Sequence, residues 1–209
     1  MRSTGFRISL LALALTAGLV ACSGSGGKAD PPGQPLPSSG SSSGDAQQPS
    51  SAAPKIANPL PASVVQGDPC KVLTDAQVKA LFSGASPAVQ PSEDTGVAKQ
   101  CRWSNPSRGS GIGVQLVYAW KDGLGHVYAK KNEGFFKELA PVQGYPVVAY
   151  GPSDDRSTGR CSVAIGIADD AAFEIDVKLA NDQVGSSADP CQDAQHVADL
   201  AVTTLKGGA

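Results

Sequence analysis

Four cysteines in the last 140 residues constrain this chain more than any other feature: Cys70, Cys101, Cys161 and Cys191. The sequence has no Cys-x-x-Cys motif and no Cys/His pair at ligand spacing, which disfavours zinc and indicates two disulfide bonds formed in an oxidising compartment. Four cysteines allow three pairings, which the sequence leaves open. We favour Cys70 with Cys101 and Cys161 with Cys191, because each pair closes a loop of about 30 residues between a helix start and a strand.

The fifth cysteine follows an apolar segment near the start of the chain. Two arginines precede residues 8–20, a stretch of 13 uncharged residues rich in Leu and Ala. A transmembrane helix needs about 20 apolar residues, so this stretch is typical of an export signal instead. It ends in Leu19-Val20-Ala21-Cys22, which resembles the lipobox of bacterial lipoproteins. The resemblance implies that residues 1–21 are a cleaved signal peptide and that lipid on Cys22 holds the protein at the extracytoplasmic face of the cell membrane.

Residues 22–66 have the composition of a tether. Of the 44 residues from Ser23 to Gln66, 24 are Ser, Gly or Pro, and none is aromatic. Such a segment buries too little apolar surface to offset the entropy of ordering, so we expect it to be disordered. The remaining residues, 67–209, predict a single domain. The net charge of −2 argues against electrostatic binding of nucleic acid.

Hydrophobic periodicity predicts an α+β domain. Thr74 and Gln77 form a capping box before the first helix, and Asp189 with Pro190 begins the last one. Alternating residues predict strands, the clearest being a hairpin that turns at residues 168–170. The predicted strands are 100–104, 113–120, 145–150, 161–167 and 171–179, with a middle helix over 126–139. We expect a mostly antiparallel sheet with helices packed on one face, the face that carries the large apolar residues.

The opposite face of this sheet is the candidate binding surface. Small and polar side chains occupy it, and Ala164 and Gly166 are the smallest of them. The five candidate binding residues are Gln115, Ser162, Glu174, Asp176 and Lys178. The alternative is a solvated face that binds no ligand, since antiparallel sheets often expose one side to water.

No residue is assigned a catalytic role, and neither a metal site nor a cofactor is expected. The two histidines, His126 and His196, are interpreted as exposed helix residues, although either would serve as a base if a nucleophile lay near it. Glu174 and Asp176 project from one strand about 6.5 to 7 Å apart, within the range of glycosidase carboxylates. With Lys178 beside them, they are interpreted as an exposed row of charges.

Several short motifs in the domain resemble a known family. They are Asp68-Pro69-Cys70 with Leu73-Thr74, Cys101-Arg102-Trp103, Cys161, and Asp189-Pro190-Cys191. Together they resemble the actinobacterial lipoprotein family called domain of unknown function 3558, in which a lipobox and a Ser/Gly/Pro tether are usual. The resemblance implies architecture only, because that family has no established activity.

These observations lead to three functional hypotheses. The first is a non-enzymatic, membrane-anchored module that binds an unknown envelope ligand or protein partner. The second is an envelope hydrolase acting on glycan or peptide, which would need a cleft where a histidine or the Glu174/Asp176 pair converges on one point. The third is a structural role in a membrane complex, which an exposed apolar patch would favour.

Overall fold

The computed structural model describes residues 53–207 and shows a seven-stranded antiparallel sheet with three helices. Three short 3-10 turns accompany them, at Ala62–Gln66, Pro69–Lys71 and Arg156–Thr158. The helices are α1 (Asp75–Leu81), α2 (Gly125–Tyr128) and α3 (Pro190–Gly207). The strands are β1 (Ala88–Asp94), β2 (Lys99–Asn105), β3 (Ser110–Leu116), β4 (Phe135–Val142), β5 (Tyr145–Gly151), β6 (Arg160–Ala168) and β7 (Ala171–Lys178).

The sheet order is β1-β2-β3-β7-β6-β5-β4, so the hairpin of β6 and β7 forms its centre. In β7, Phe173, Ile175 and Val177 are buried and alternate with partly buried polar residues, as an antiparallel strand with two different faces requires. The α+β class and the antiparallel sheet are therefore confirmed.

Helix α3 covers one face of the sheet over β6 and β7. Its buried residues are spaced to form one apolar stripe, which includes Val197, Ala198, Ala201 and Val202. They pack in the main core with the large side chains of the central strands, including Phe173, which is fully buried. Helices α1 and α3 share this face, as predicted, whereas the short α2 packs on the other face, over Val148 and Ala164.

Both favoured disulfide bonds are present. Cys70 bonds to Cys101 and Cys161 bonds to Cys191, with sequence separations of 31 and 30 residues. The first fixes the turn before α1 to β2, and the second fixes the start of α3 to β6. The predicted capping box of α1 also forms, since the Thr74 hydroxyl accepts from the Gln77 amide and the Gln77 side chain accepts from the Thr74 amide.

Two predicted elements differ from the structure, and strand β1 is an addition to the predicted ones. The predicted helix over 126–139 is wrong: only Gly125–Tyr128 is helical, and Phe135–Val142 is strand β4. The second predicted strand starts earlier than expected and ends at Leu116, so Trp120 lies in a turn. Strand β1 was not predicted, and all seven of its residues are exposed.

The packed body begins before residue 67, where the domain boundary was predicted. Leu60 and Val65 are buried in the main core, and the Leu60 amide donates a hydrogen bond to the Ile167 carbonyl. The Tyr145 hydroxyl donates to the Asn58 carbonyl at 2.9 Å. Residues 53–66 therefore pack on the sheet, while the predicted signal peptide, Cys22 and the earlier part of the tether lie outside the described residues. Among the described helices, none is long and apolar enough to cross a membrane.

Candidate functional site

A groove of about 600 Å³ lies on the face of the sheet opposite α3. Gly111 and Gly113 of β3 form part of its lining, next to Lys178 and Asp176 of β7. Because these two glycines have no side chain, the sheet face has a depression along β3, between β2 and β7. A Cβ added at Gly113 would lie 3.3 Å from an Asp176 carboxylate oxygen, which shows how closely the neighbouring side chain approaches. The groove therefore follows from the Gly-Ile-Gly alternation of β3.

Three cationic side chains line the groove: Arg102 from β2, Arg160 from β6 and Lys178 from β7. Arg160 and Lys178 are direct partners in the register of the central hairpin, so they face the same side of the sheet. The Arg102 side chain is 47% exposed and lies 4.0 Å from Asp176. Asp155 is the other carboxylate of the lining, and it accepts a hydrogen bond from Ser153.

A pair of carboxyl groups lies on β7 at this face. Asp176 accepts hydrogen bonds from Ser162 at 2.5 Å and from Gln115 at 2.9 Å. Glu174 accepts a hydrogen bond from the Tyr150 hydroxyl at 2.7 Å, and its carboxyl hydrogen-bonds Asp176. Burial and the negative charge of Asp176 raise the pKa of Glu174 to about 8. At neutral pH Glu174 is therefore mostly protonated, and the pair carries one negative charge.

Aromatic side chains cover the inner end of this face. Trp120 contacts the Tyr150 ring edge-on, and the His126 ring stacks on Trp120 with 5.1 Å between centroids. Burial, followed by the adjacent Glu174 charge, raises the pKa of Tyr150 well above its usual range, so its hydroxyl stays a donor. A second small core under α2, with Leu124 packed on Ala164, closes the rest of the face.

The five candidate binding residues all lie on this face, but not all of them are open to solvent. Ser162, Asp176 and Lys178 line the groove. Gln115 reaches Asp176 from the side, and Glu174 lies under Tyr150. The interpretation of Glu174 as part of an exposed charge row is wrong, because the aromatic cover buries most of its side chain.

The open area is also smaller than predicted. Ala164 and Gly166, predicted to line it, are buried beneath the α2 segment. A Cβ on Gly166 would lie 3.2 Å from Leu124, which shows how closely the α2 segment packs on this strand. The glycosidase-like separation of the two carboxyl groups is not found either, since Glu174 and Asp176 are in hydrogen-bond contact.

Sequence reasoning missed Arg102, Arg160 and Tyr150 as residues of this site. Tyr150 pairs with Ser162, and Arg102 pairs with Gly113, across strands whose register the sequence did not reveal. Arg160 had a signal: extending the predicted hairpin by one residue places it opposite Lys178.

A second groove, of about 620 Å³, lies on the other side of the sheet, between α1 and α3. Its lining mixes apolar residues such as Phe82 and Val197 with polar ones, including His196 and Asp193 at one side. It shares Gly111 and Lys178 with the first groove. Burial raises the pKa of Asp193. His196 therefore lies on the opposite side of the sheet from the Glu174 and Asp176 pair, and the two histidines do not converge on one site.

Across residues 53–207, no group of three or more His, Cys, Asp or Glu side chains is placed to hold a metal ion.

Comparison with known proteins identifies a family. The comparison with curated proteins gave no match, and neither did the comparison with solved structures. The family model described as "Protein of unknown function (DUF3558)" matches residues 17–204, which include the entire sheet and both disulfide bonds. The chain belongs to the DUF3558 family.

Proposed function

We propose that this protein is a non-enzymatic binding module that takes a small envelope ligand, or a projecting group of a protein partner, into the sheet-face groove. The groove itself is the observation that carries the proposal, because its volume lies within the range of small-molecule sites. Its lining combines the open surface over Gly111 and Gly113 with charged groups at its sides. A concave surface of this kind on a rigid central sheet supports recognition.

The hydrogen bonds of Glu174 and Asp176 favour a binding role over a catalytic one. Asp176 is engaged by Ser162 and Gln115, and Glu174 by Tyr150 and Asp176. Each of these bonds positions a neighbouring side chain of the groove. A general base must reach a proton on its substrate, whereas these carboxyl oxygens already have protein partners.

A hydrolase of envelope glycan or peptide is the second candidate, and the same pair is the observation that favours it. Two carboxyl groups that share a proton occur in acid proteases, and a carboxyl with a raised pKa is suited to act as a general acid. The two candidates predict different fates for a bound molecule: retention intact or cleavage.

Filling the groove is expected to abolish ligand retention. Gly111 has no positive φ, and a Cβ there would have only the Trp103 carbonyl oxygen, at 3.4 Å, within 4 Å. Gly111→Leu therefore adds an apolar side chain to the groove with little strain. We expect the purified wild-type chain, dialysed against water-soluble and lipid-soluble extracts of cell envelope, to retain a compound that mass spectrometry detects intact. Gly111→Leu is expected to retain at least tenfold less of this compound.

The matched control is Ala80→Leu, which adds the same side chain at the second groove and should retain the compound. Retention that survives Gly111→Leu, or that disappears in Ala80→Leu instead, would place the ligand elsewhere. Appearance of cleavage products that depend on Glu174 would favour the hydrolase.

We also propose that lipid on Cys22 anchors the protein to the extracytoplasmic face of the membrane. The lipobox-like motif Leu19-Val20-Ala21-Cys22 supports this, and so do the two disulfide bonds, which persist in oxidising compartments. Removing Cys22 for lipid leaves an even number of cysteines for these bonds.

The anchor is tested by metabolic labelling with an alkyne fatty acid. The wild-type chain is expected to take up label and to fractionate with membranes, because two or three acyl chains bind a bilayer stably. Cys22→Ser should lose the label completely, while Cys70→Ser should keep it. Equal labelling of the wild type and Cys22→Ser would refute the anchor.

A further inference from the structure

Two cations lie side by side at the groove with no carboxylate paired to them in the described part of the chain. Arg160 and Lys178 are cross-strand partners at the end of the central hairpin. Within residues 53–207, neither side chain has a carboxylate oxygen within 4.0 Å, whereas Arg102, Arg108 and Arg156 each have one. Like charges directly opposite each other destabilise a sheet.

The groove is open beside Arg160 and Lys178. Lys178 is partly buried, and its neighbour across β3 is Gly111, which leaves space beside the ammonium group. Arg102 lies one strand beyond Gly113, on the same face. An anion in the groove would therefore meet the Arg160 and Lys178 pair at one end and Arg102 at the other.

Glu174 and Asp176 do not neutralise these cations at neutral pH. Asp176 contributes one negative charge, which Ser162 and Gln115 already hydrogen-bond. Glu174 is mostly protonated, and Asp155 is exposed and bonded to Ser153. With three cations against two carboxylates, the lining carries a net positive charge.

We propose that the ligand of this groove is an anion whose phosphate or carboxylate group is bound by Arg160 and Lys178. The inference rests on the proposed function, which it makes specific. An arginine and a lysine together supply several N–H donors, and the guanidinium matches the paired oxygens of either group. Binding would relieve the repulsion between the two cations.

The test is calorimetric titration of the full chain at pH 7 and constant ionic strength. The probes are pyrophosphate, succinate and the uncharged diester dimethyl succinate. We expect at least one of the two anions to bind and the diester not to bind; stronger pyrophosphate binding identifies a phosphate ligand, and stronger succinate binding a carboxylate. Arg160→Gln/Lys178→Gln is expected to weaken anion binding at least tenfold, while Arg160→Lys, which keeps the charge but loses the paired N–H donors, should weaken it less.

The matched control is Lys71→Gln/Lys79→Gln, which removes the same charge from exposed positions outside the groove and should change affinity less than twofold. Thermal melting shows whether the groove variant is folded, and we expect its melting temperature to equal or exceed that of the wild type; if it does not fold, Arg160→Gln alone replaces it. Equal weakening in both double variants would overturn the proposal. Occupation of the groove by neutral or cationic molecules, with no response to either anion, would overturn it while leaving the proposed function intact.

Discussion

Glu174→Gln is expected to make the protein more stable than the wild type at alkaline pH. The pKa of Glu174 is about 8 in the folded protein, against 4.5 for an ordinary glutamate. Between these values the folded state holds a proton that the unfolded state has released, so stability falls as pH rises through this window. At about 1.4 kcal/mol per pKa unit the full loss is about 5 kcal/mol, of which about 4 kcal/mol falls between pH 5 and pH 9.

The Gln side chain removes this pH dependence without removing the hydrogen bonds. Its amide donates to Asp176 as the protonated Glu174 does, and its carbonyl accepts from Tyr150. Urea denaturation at pH 5, 7 and 9 should therefore show curves for wild type and Glu174→Gln that diverge with rising pH. The charged groups that act on Glu174, Asp176 and Arg102, are unchanged in the variant, so the difference between the two proteins isolates Glu174.

Glu138→Gln is the matched control for this experiment. Glu138 also accepts a hydrogen bond from a tyrosine, Tyr128, but it is exposed. We expect its replacement to leave the pH dependence of the wild type unchanged. Parallel stability profiles for the wild type and Glu174→Gln would show that Glu174 is not held protonated beneath the groove.

Removing the bond between Cys161 and Cys191 should destabilise the protein by about 3.5 kcal/mol. The bond closes a loop of 30 residues, and the chain-entropy model assigns this cost to the freed unfolded chain. In the folded state, Cys161→Ala/Cys191→Ala releases the start of α3 from β6. Urea denaturation at pH 6 should show the loss, and hydrogen exchange should show faster opening of α3 than of β7.

Cys70→Ala/Cys101→Ala provides the comparison, because its loop has nearly the same length. The chain-entropy model predicts a similar loss of stability, but this bond holds only the turn before α1. Faster exchange in α3 should therefore accompany the first variant alone. An unchanged denaturation midpoint in Cys161→Ala/Cys191→Ala would contradict the structural role assigned to this bond.

The elements that sequence reasoning predicted correctly are those whose local and tertiary signals agree. The hairpin of β6 and β7 alternates over its whole length, and α3 has both a start signal and an apolar stripe. In contrast, strand β1 is polar, contains Pro91 and is exposed throughout, so its pairing with β2 alone makes it a strand. No local pattern distinguishes such an edge strand from a loop.

Strand β4 shows how tertiary pairing overrides an apparent helical period. Phe135, Phe136 and Leu139 are spaced as on a helix, yet they pair with β5. The missed signal is the turn, since Gln143 and Gly144 have φ of 50° and 88°, the backbone of a two-residue hairpin. Without this hairpin, Tyr150 could not be placed beside Glu174.

The candidate site was predicted in part, for a related reason. Side-chain alternation within β7 was enough to place Glu174, Asp176 and Lys178 on the face without α3. Which residues from other strands join them depends on register, and the cover formed by Trp120 depends on a turn. Burial of Glu174, and hence its raised pKa, could not be inferred before that cover was known.

Ligand binding in the sheet-face groove is the property on which the proposed function rests. Its most direct test is to soak crystals of the protein with a mixed set of neutral, anionic and cationic fragments and to locate the bound molecules. We predict that fragments occupy the groove over Gly111 and Gly113, with polar atoms directed at the cationic side chains or at Tyr150. Fragments found only between α1 and α3, or none on the sheet face, would contradict it.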